Sequence, residues 1–127
     1  MINIVNEMVE QLSKRQDFAL ATVISSNGST PRSAGAKMLV KTDGASIGTV
    51  GGGMLEASVA QLALQMIQQR GAVIQSFQFS GVDAADMDAI CGGQVEVLVE
   101  WVDSGNELTA QMTRELQNAI TRHQKAW

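Results

Sequence analysis

Three consecutive glycines, Gly51-Gly52-Gly53, stand where a β-rich stretch gives way to an amphipathic helix. A chain built this way must turn sharply from strand to helix, and glycine allows backbone conformations closed to other residues. The helix that follows carries Leu55, Val59, Leu62, Ala63, Met66 and Ile67 on one face, so it must pack that face on the sheet. Gly71 suits its C-terminal cap. The junction admits two uses. Unpaired N–H groups and the positive end of the helix dipole favour an anion, and glycine lets that anion approach. The alternative is close packing of helix on strand. Glu56, in the first helical turn, divides the same way: it complements the dipole, or it accepts a hydrogen bond from a ligand amide or amine.

The remaining periodicities set the fold class. Ile4, Val5, Met8, Val9 and Leu12 mark a first helix that closes on Lys14-Arg15. Phe18–Ser25 is apolar on both faces, as a strand central to a sheet must be. Lys37–Lys41 and Ser46–Val50, joined by Thr42-Asp43-Gly44-Ala45, form a hairpin. Val73–Phe79 is a strand, and Gly81–Ile90 a polar, acidic loop. In Gln94–Val102, Val95, Val97, Val99 and Trp101 face one way, and Gln94, Glu96 and Glu100 face solvent. Leu108, Met112, Leu116 and Ile120 are the apolar stripe of a last helix. The expectation is one α+β domain over residues 1–127, with a mixed β-sheet, about three helices and the order α-β-β-β-α-β-β-α.

Composition narrows the partners. The net charge of −4 lacks the basic stripe that a phosphate backbone requires, and 4% aromatic content leaves few platforms for base stacking. No nucleic acid is expected. No apolar run approaches membrane-spanning length, Met1–Gln11 lacks the pattern of a signal peptide, and one cysteine cannot form an internal disulfide. These point to a cytoplasmic protein with no membrane partner. The seven methionines suit core filling.

Two further glycine-punctuated turns carry reactive side chains. Gly28-Ser29-Thr30-Pro31-Arg32-Ser33-Ala34-Gly35 holds two hydroxyls and a guanidinium that matches a phosphate bidentately. Lys37 follows as a point charge, although ordinary surface charges would read the same. Cys91-Gly92-Gly93 leads into the last long strand. A lone cysteine is most often a small buried hydrophobe, yet exposed backbone N–H groups beside it favour a thiolate able to ligate a soft metal or carry sulfur. Known phosphate motifs fail: Gly35-Ala36-Lys37 meets Met38 and a strand, and Gly51-x-Gly53 has Glu56 where a dinucleotide fingerprint needs a small residue. His123 lies late on a polar helix face. Asp83, Asp86 and Asp88 lack a calcium-loop pattern.

Three blocks resemble the XdhC/CoxI family in sequence and order. They are Gly28-Ser29-Thr30-Pro31-Arg32-Ser33-Ala34-Gly35-Ala36-Lys37-Met38-Leu39-Val40, then Gly48-Thr49-Val50-Gly51-Gly52-Gly53-Met54-Leu55-Glu56, then Cys91-Gly92-Gly93-Gln94-Val95-Glu96-Val97. The resemblance spans about Phe18 to Trp101. It implies an accessory protein, a chaperone more than a catalyst. Such a protein binds the molybdenum cofactor as molybdopterin, with or without an added nucleotide. It assists sulfuration and hands the cofactor to a molybdenum hydroxylase such as xanthine dehydrogenase. A cysteine desulfurase and a homo-oligomer are among the implied partners. Ser29, Thr30, Arg32 and Lys37 with Gly51, Gly52, Gly53 and Glu56 would hold the cofactor. Cys91, Gly92 and Gly93 would sit near molybdenum or incoming sulfur, Cys91 as its candidate ligand. Many members have cysteine after the glycine triplet where this chain has Met54, and longer members add a Rossmann-like domain, which is expected to be absent here. Two other readings of the residues stand beside this one: an enzyme using Cys91 as nucleophile, and a ligand-free interaction module that dimerises through a sheet edge.

Overall fold

The computed structural model describes residues 2–27, 34–79 and 93–125. Eight elements follow in the expected order: α1 (Ile2–Ser13), β1 (Phe18–Asn27), β2 (Lys37–Lys41), β3 (Ser46–Gly48), α2 (Gly53–Gln69), β4 (Ala72–Phe79), β5 (Gly93–Val102) and α3 (Glu107–Lys125). The strands form one sheet in the order β3-β2-β1-β5-β4. The α+β class holds, but the sheet is antiparallel at every pairing rather than mixed. The reason is the path of α2. It leaves β3 at one edge and delivers β4 to the other, and β5 then inserts between β4 and β1. The strands that run the same way are therefore never neighbours.

The core lies mainly between α2 and the sheet. Ala19, Ala21 and Val23 of β1, Met38 and Val40 of β2, and Val95, Val97 and Val99 of β5 meet Leu55, Val59, Ala63 and Met66 of α2. Val73 and Phe77 extend it at the β4 edge. On the opposite face α1 lies along the β2–β3 side of the sheet, packing Ile4 and Leu12 against Phe18 and Leu39. Gln94, Glu96 and Glu100 on that face are half-buried rather than fully solvated.

Two local expectations change. The first helix stops at Ser13, and Arg15 beyond it takes a left-handed conformation (φ 56°). Arg70, not Gly71, is the left-handed residue closing α2 (φ 56°), while the Gly71 N–H donates to the Met66 carbonyl. In α3 the structure decides what the apolar period left open. Leu108, Met112 and Leu116 are 64%, 60% and 46% exposed, so the apolar stripe faces outward. The helix docks on α1 instead through its other side. There Ala110 joins the α1 cluster, buried Thr113 returns its hydroxyl to the Thr109 carbonyl, and the Gln117 amide donates to Asn6 Oδ1 (2.8 Å).

Asp17 fastens the opposite end of the sheet from the glycine turn. Its carboxylate accepts from the Trp101 indole N–H and from the Ser104 backbone N–H, both at 2.9 Å. Burial would raise its pKa, but the Ser104 and Trp101 hydrogen bonds and the nearby Arg70 charge outweigh that and hold it below its ordinary value. Arg70 also lies over the Trp101 ring, 5.9 Å from its centre.

Candidate functional site

Strand register brings the Gly48–Gly53 turn and the strand ends flanking 28–33 and 80–92 to one end of the sheet. Thr22 of β1 pairs with Lys37, the first residue of β2, and Met38 pairs with Gly48, the last residue of β3. Asn27, the last residue of β1, pairs with Gln94, and Phe79 pairs with Gly93. The chain on either side of 28–33, the Gly48–Gly53 turn, and the chain on either side of 80–92 thus share that end. Of the sequence-selected site residues, Lys37, Gly51, Gly52, Gly53, Glu56 and Gly93 are placed there. Ser29, Thr30, Arg32, Cys91 and Gly92 lie outside the described residues, as do Asp83, Asp86 and Asp88.

β1 reaches this end through a bulge. Its register against β5 shifts between Val23 and Ser25. Val23 still faces the α2 core, but the extra residue turns Ser25 to the other face, where its hydroxyl donates to Glu96 Oε1 (2.6 Å). A bulge leaves one residue unpaired and re-aims the strand beyond it. The Val23 carbonyl accepts from Gly35 N (2.7 Å) and the Val23 N–H donates to Ala36 O (2.9 Å), which seats the chain returning from 28–33. No periodicity in the sequence marks this bulge.

The glycine turn uses its conformational freedom fully. Gly48, Gly51, Gly52 and Gly53 have φ of 83°, 134°, 80° and 62°, values that side chains rarely adopt. At Gly48 space is also short: a Cβ would lie 2.5 Å from the Lys37 carbonyl oxygen and 2.6 Å from Ile4 Cδ1. Thr49, which the sequence reading left out of the site, organises the turn. Its hydroxyl accepts from the Gly51 N–H (2.9 Å) and donates to Glu56 Oε2 (2.5 Å). The first contact is the local turn that threonine forms with a backbone two residues on, and Thr49-x-Gly51 was its visible signal. Glu56 therefore stands at the N-terminus of α2 with one oxygen held by Thr49, so the positive end of the helix already has an internal carboxylate beside it.

Lys37 lies on the α1 side of the same sheet end, its ammonium 3.4 Å from Thr22 Oγ1. A cavity of about 360 Å³ opens there between Asn3, Ile4, Lys37, Gly48 and Thr49. Its size falls within the range of small-molecule pockets. Thr49 joins its two neighbourhoods, lining the cavity while holding Glu56 at the turn. Met54, one residue into α2, is 70% exposed beside the turn. Among the described residues no three acids, histidines or cysteines gather as a metal-binding group, and no helix is long and apolar enough to cross a membrane.

Residues 11–78, just over half of the chain, match the family described as XdhC and CoxI. The chain belongs to the XdhC and CoxI family. The matched region runs from the end of α1 to β4 and includes the glycine turn, Lys37 and Glu56. Two Escherichia coli (strain K12) proteins are similar to it. The uncharacterized protein YqeB is 38% identical over 100 residues, covering 77% of this chain and 18% of YqeB. The molybdenum cofactor insertion chaperone PaoD is 31% identical over 106 residues, covering 84% of this chain and 33% of PaoD. A solved structure from Bacillus halodurans, described as a xanthine dehydrogenase, superposes with a TM-score of 0.73 at 27% identity. It covers 93% of this chain and 35% of that one. The chain thus spans about a third or less of the length of these similar proteins.

Proposed function

We propose that this chain is the cofactor-handling domain of a molybdenum cofactor insertion chaperone. It would hold the cofactor as molybdopterin, support its sulfuration, and pass it to a molybdenum hydroxylase such as xanthine dehydrogenase. The role is non-catalytic and cytoplasmic. The observation that carries this reading is the convergence of Lys37, the Gly48–Gly53 turn, and the chain flanking 28–33 and 80–92 at one end of the sheet. Similarity to PaoD, a chaperone of that cofactor, supports it.

The residues at that end fit such a ligand by dividing its chemistry. Molybdopterin offers a phosphate at one end and a pterin edge rich in N–H donors at the other. A phosphate beside the Glu56 carboxylate would meet like charge, whereas Lys37, and Arg32 in the preceding loop, supply cationic donors. The phosphate is therefore assigned to Lys37 and Arg32, with Ser29 and Thr30. The pterin edge is assigned to Glu56 and the backbone of Gly51–Gly53, where missing side chains permit close approach. Cys91 would face the molybdenum or its incoming sulfur, with Gly92 and Gly93 leaving its surroundings open. The bound group supplies a soft metal centre awaiting a terminal sulfur; the chain binds, orients and shields it.

Purified protein is expected to retain added molybdopterin, read by fluorescence of the oxidised pterin. Lys37→Ala or Arg32→Ala removes one charge-assisted hydrogen bond, worth about 1.5–3 kcal/mol, so each should weaken binding roughly tenfold or more. Loss of pterin retention by the parent protein while circular dichroism shows a native fold would overturn the reading. Unchanged affinity in both variants would overturn the phosphate assignment.

A further inference from the structure

A second cavity, of about 380 Å³, lies between the C-terminal end of α1 and the first turns of α3. Arg15 and Ser104 on its walls flank the Phe18–Val102 pair, so it is at the far end of the sheet from the glycine turn. Arg15, just past α1, and Arg114 of α3 both line it. Among the described residues neither guanidinium makes an ion pair or a side-chain hydrogen bond, and the Gln111 amide beside them is equally unengaged. The helix ends at this cavity are already satisfied. The Glu10, Gln11 and Leu12 carbonyls that close α1 accept from the Lys14, Gln16 and Arg15 N–H groups. Asn106 caps α3 by accepting from the Thr109 N–H (3.0 Å), and the Gly105 N–H donates to Asp103 (2.8 Å). The one carboxylate on the lining, Glu107, pairs with neither arginine.

The geometry points to a binding site for a phosphate group, held by Arg15 and Arg114. The chain carries 13 acidic against 9 basic residues, so carboxylate partners are not scarce. Two arginines left unmatched around one cavity instead meet a charge brought by a ligand. Each guanidinium presents a planar fork that fits two phosphate oxygens, and two positive charges suit a dianion. Gln111 adds a neutral donor. Glu107 repels an anion and so sets the orientation: the phosphate turns toward the arginines, and a hydroxyl or amine of the ligand's remainder turns toward Glu107. The volume is in the range of small-molecule pockets, which leaves room for a polar body behind the phosphate. Free phosphate and a small, hydrophilic phosphomonoester share this chemistry. The glycine-turn end of the sheet is not involved, so this inference stands independently of the cofactor reading.

Titration of the whole chain with inorganic phosphate at constant ionic strength, followed by the arginine Nε–H signals in heteronuclear NMR, tests the inference. The Arg15 and Arg114 signals are expected to move together and to saturate with one dissociation constant. Arg15→Gln and Arg114→Gln should each weaken binding about five- to tenfold. Circular dichroism should not change, because both positions are exposed. Glu107→Gln removes the repelling charge and should tighten phosphate binding about two- to fivefold. Arg122→Gln, exposed on α3 but outside the cavity, should leave it unchanged. Glycerol phosphate binding more tightly than inorganic phosphate assigns the site to phosphomonoesters; the reverse order assigns it to the free ion. Arginine signals that move as far with acetate at equal ionic strength overturn the inference. So do Arg15→Gln and Arg114→Gln proteins that bind phosphate as the parent does, or a Glu107→Gln protein that binds it more weakly.

Discussion

A methyl group at Gly48 would collide with the Lys37 carbonyl and the Ile4 side chain, and φ of 83° disfavours any β-carbon there. Gly48→Ala is therefore expected to destabilise the protein by about 2 kcal/mol or more, seen as a lower urea midpoint at unchanged slope. Gly44→Ala gives the contrast. Its φ of 91° carries the backbone strain, but nothing lies within 4 Å of the added carbon, so its cost should be clearly smaller. Thr49→Val tests the turn beside them. It removes the hydroxyl that bridges Gly51 and Glu56 at little change in shape, and should cost roughly 1–2 kcal/mol of stability. The glycine triplet was legible in the sequence as a special turn because few residues reach positive φ. The Thr49 bridge was not singled out, because a threonine in a turn is common and only the fold shows that Glu56 lies beside its hydroxyl.

At the scale of elements, α3 is the instructive case. Its period announced a helix correctly, but a period does not say which side of the helix meets a neighbour. Packing is decided by which side fits the neighbour: α1 offers a surface that small Ala110 and Thr113 approach closely, and two large leucines would not seat there. Ala110→Met should thus loosen α3 from α1 by about 1–3 kcal/mol. Hydrogen exchange is expected to show faster exchange in α3 while β1 and β5 keep their protection. In β1, apolar residues on both faces revealed a central strand but not its bulge. One inserted residue changes the facing of Ser25 without changing composition, so only the register against β5 exposes it.

For the whole molecule, the two ends of the sheet are built differently. One gathers glycine turns, a lysine and a cavity; the other is tied by Asp17 to Trp101 and Ser104. Because the folded state holds the Asp17 pKa below its ordinary value, this carboxylate adds stability above the usual carboxylate range and loses it as pH falls through the folded pKa. Asp17→Asn should be less stable than the parent by about 1–2 kcal/mol near neutrality, and the difference should shrink in acid, as urea titrations at several pH values would show. Periodicity and turn chemistry act over a few residues, so the eight elements, their order and the α+β class were legible in the sequence. It also marked Lys37, the Gly51–Gly53 turn and Glu56. Tertiary packing was needed to show that every strand pair is antiparallel, that α3 turns its apolar stripe outward, and that the Gly48–Gly53 turn shares a sheet end with the chain flanking 28–33 and 80–92. Those outcomes depend on the crossover of α2 and on long-range register, which no local pattern encodes.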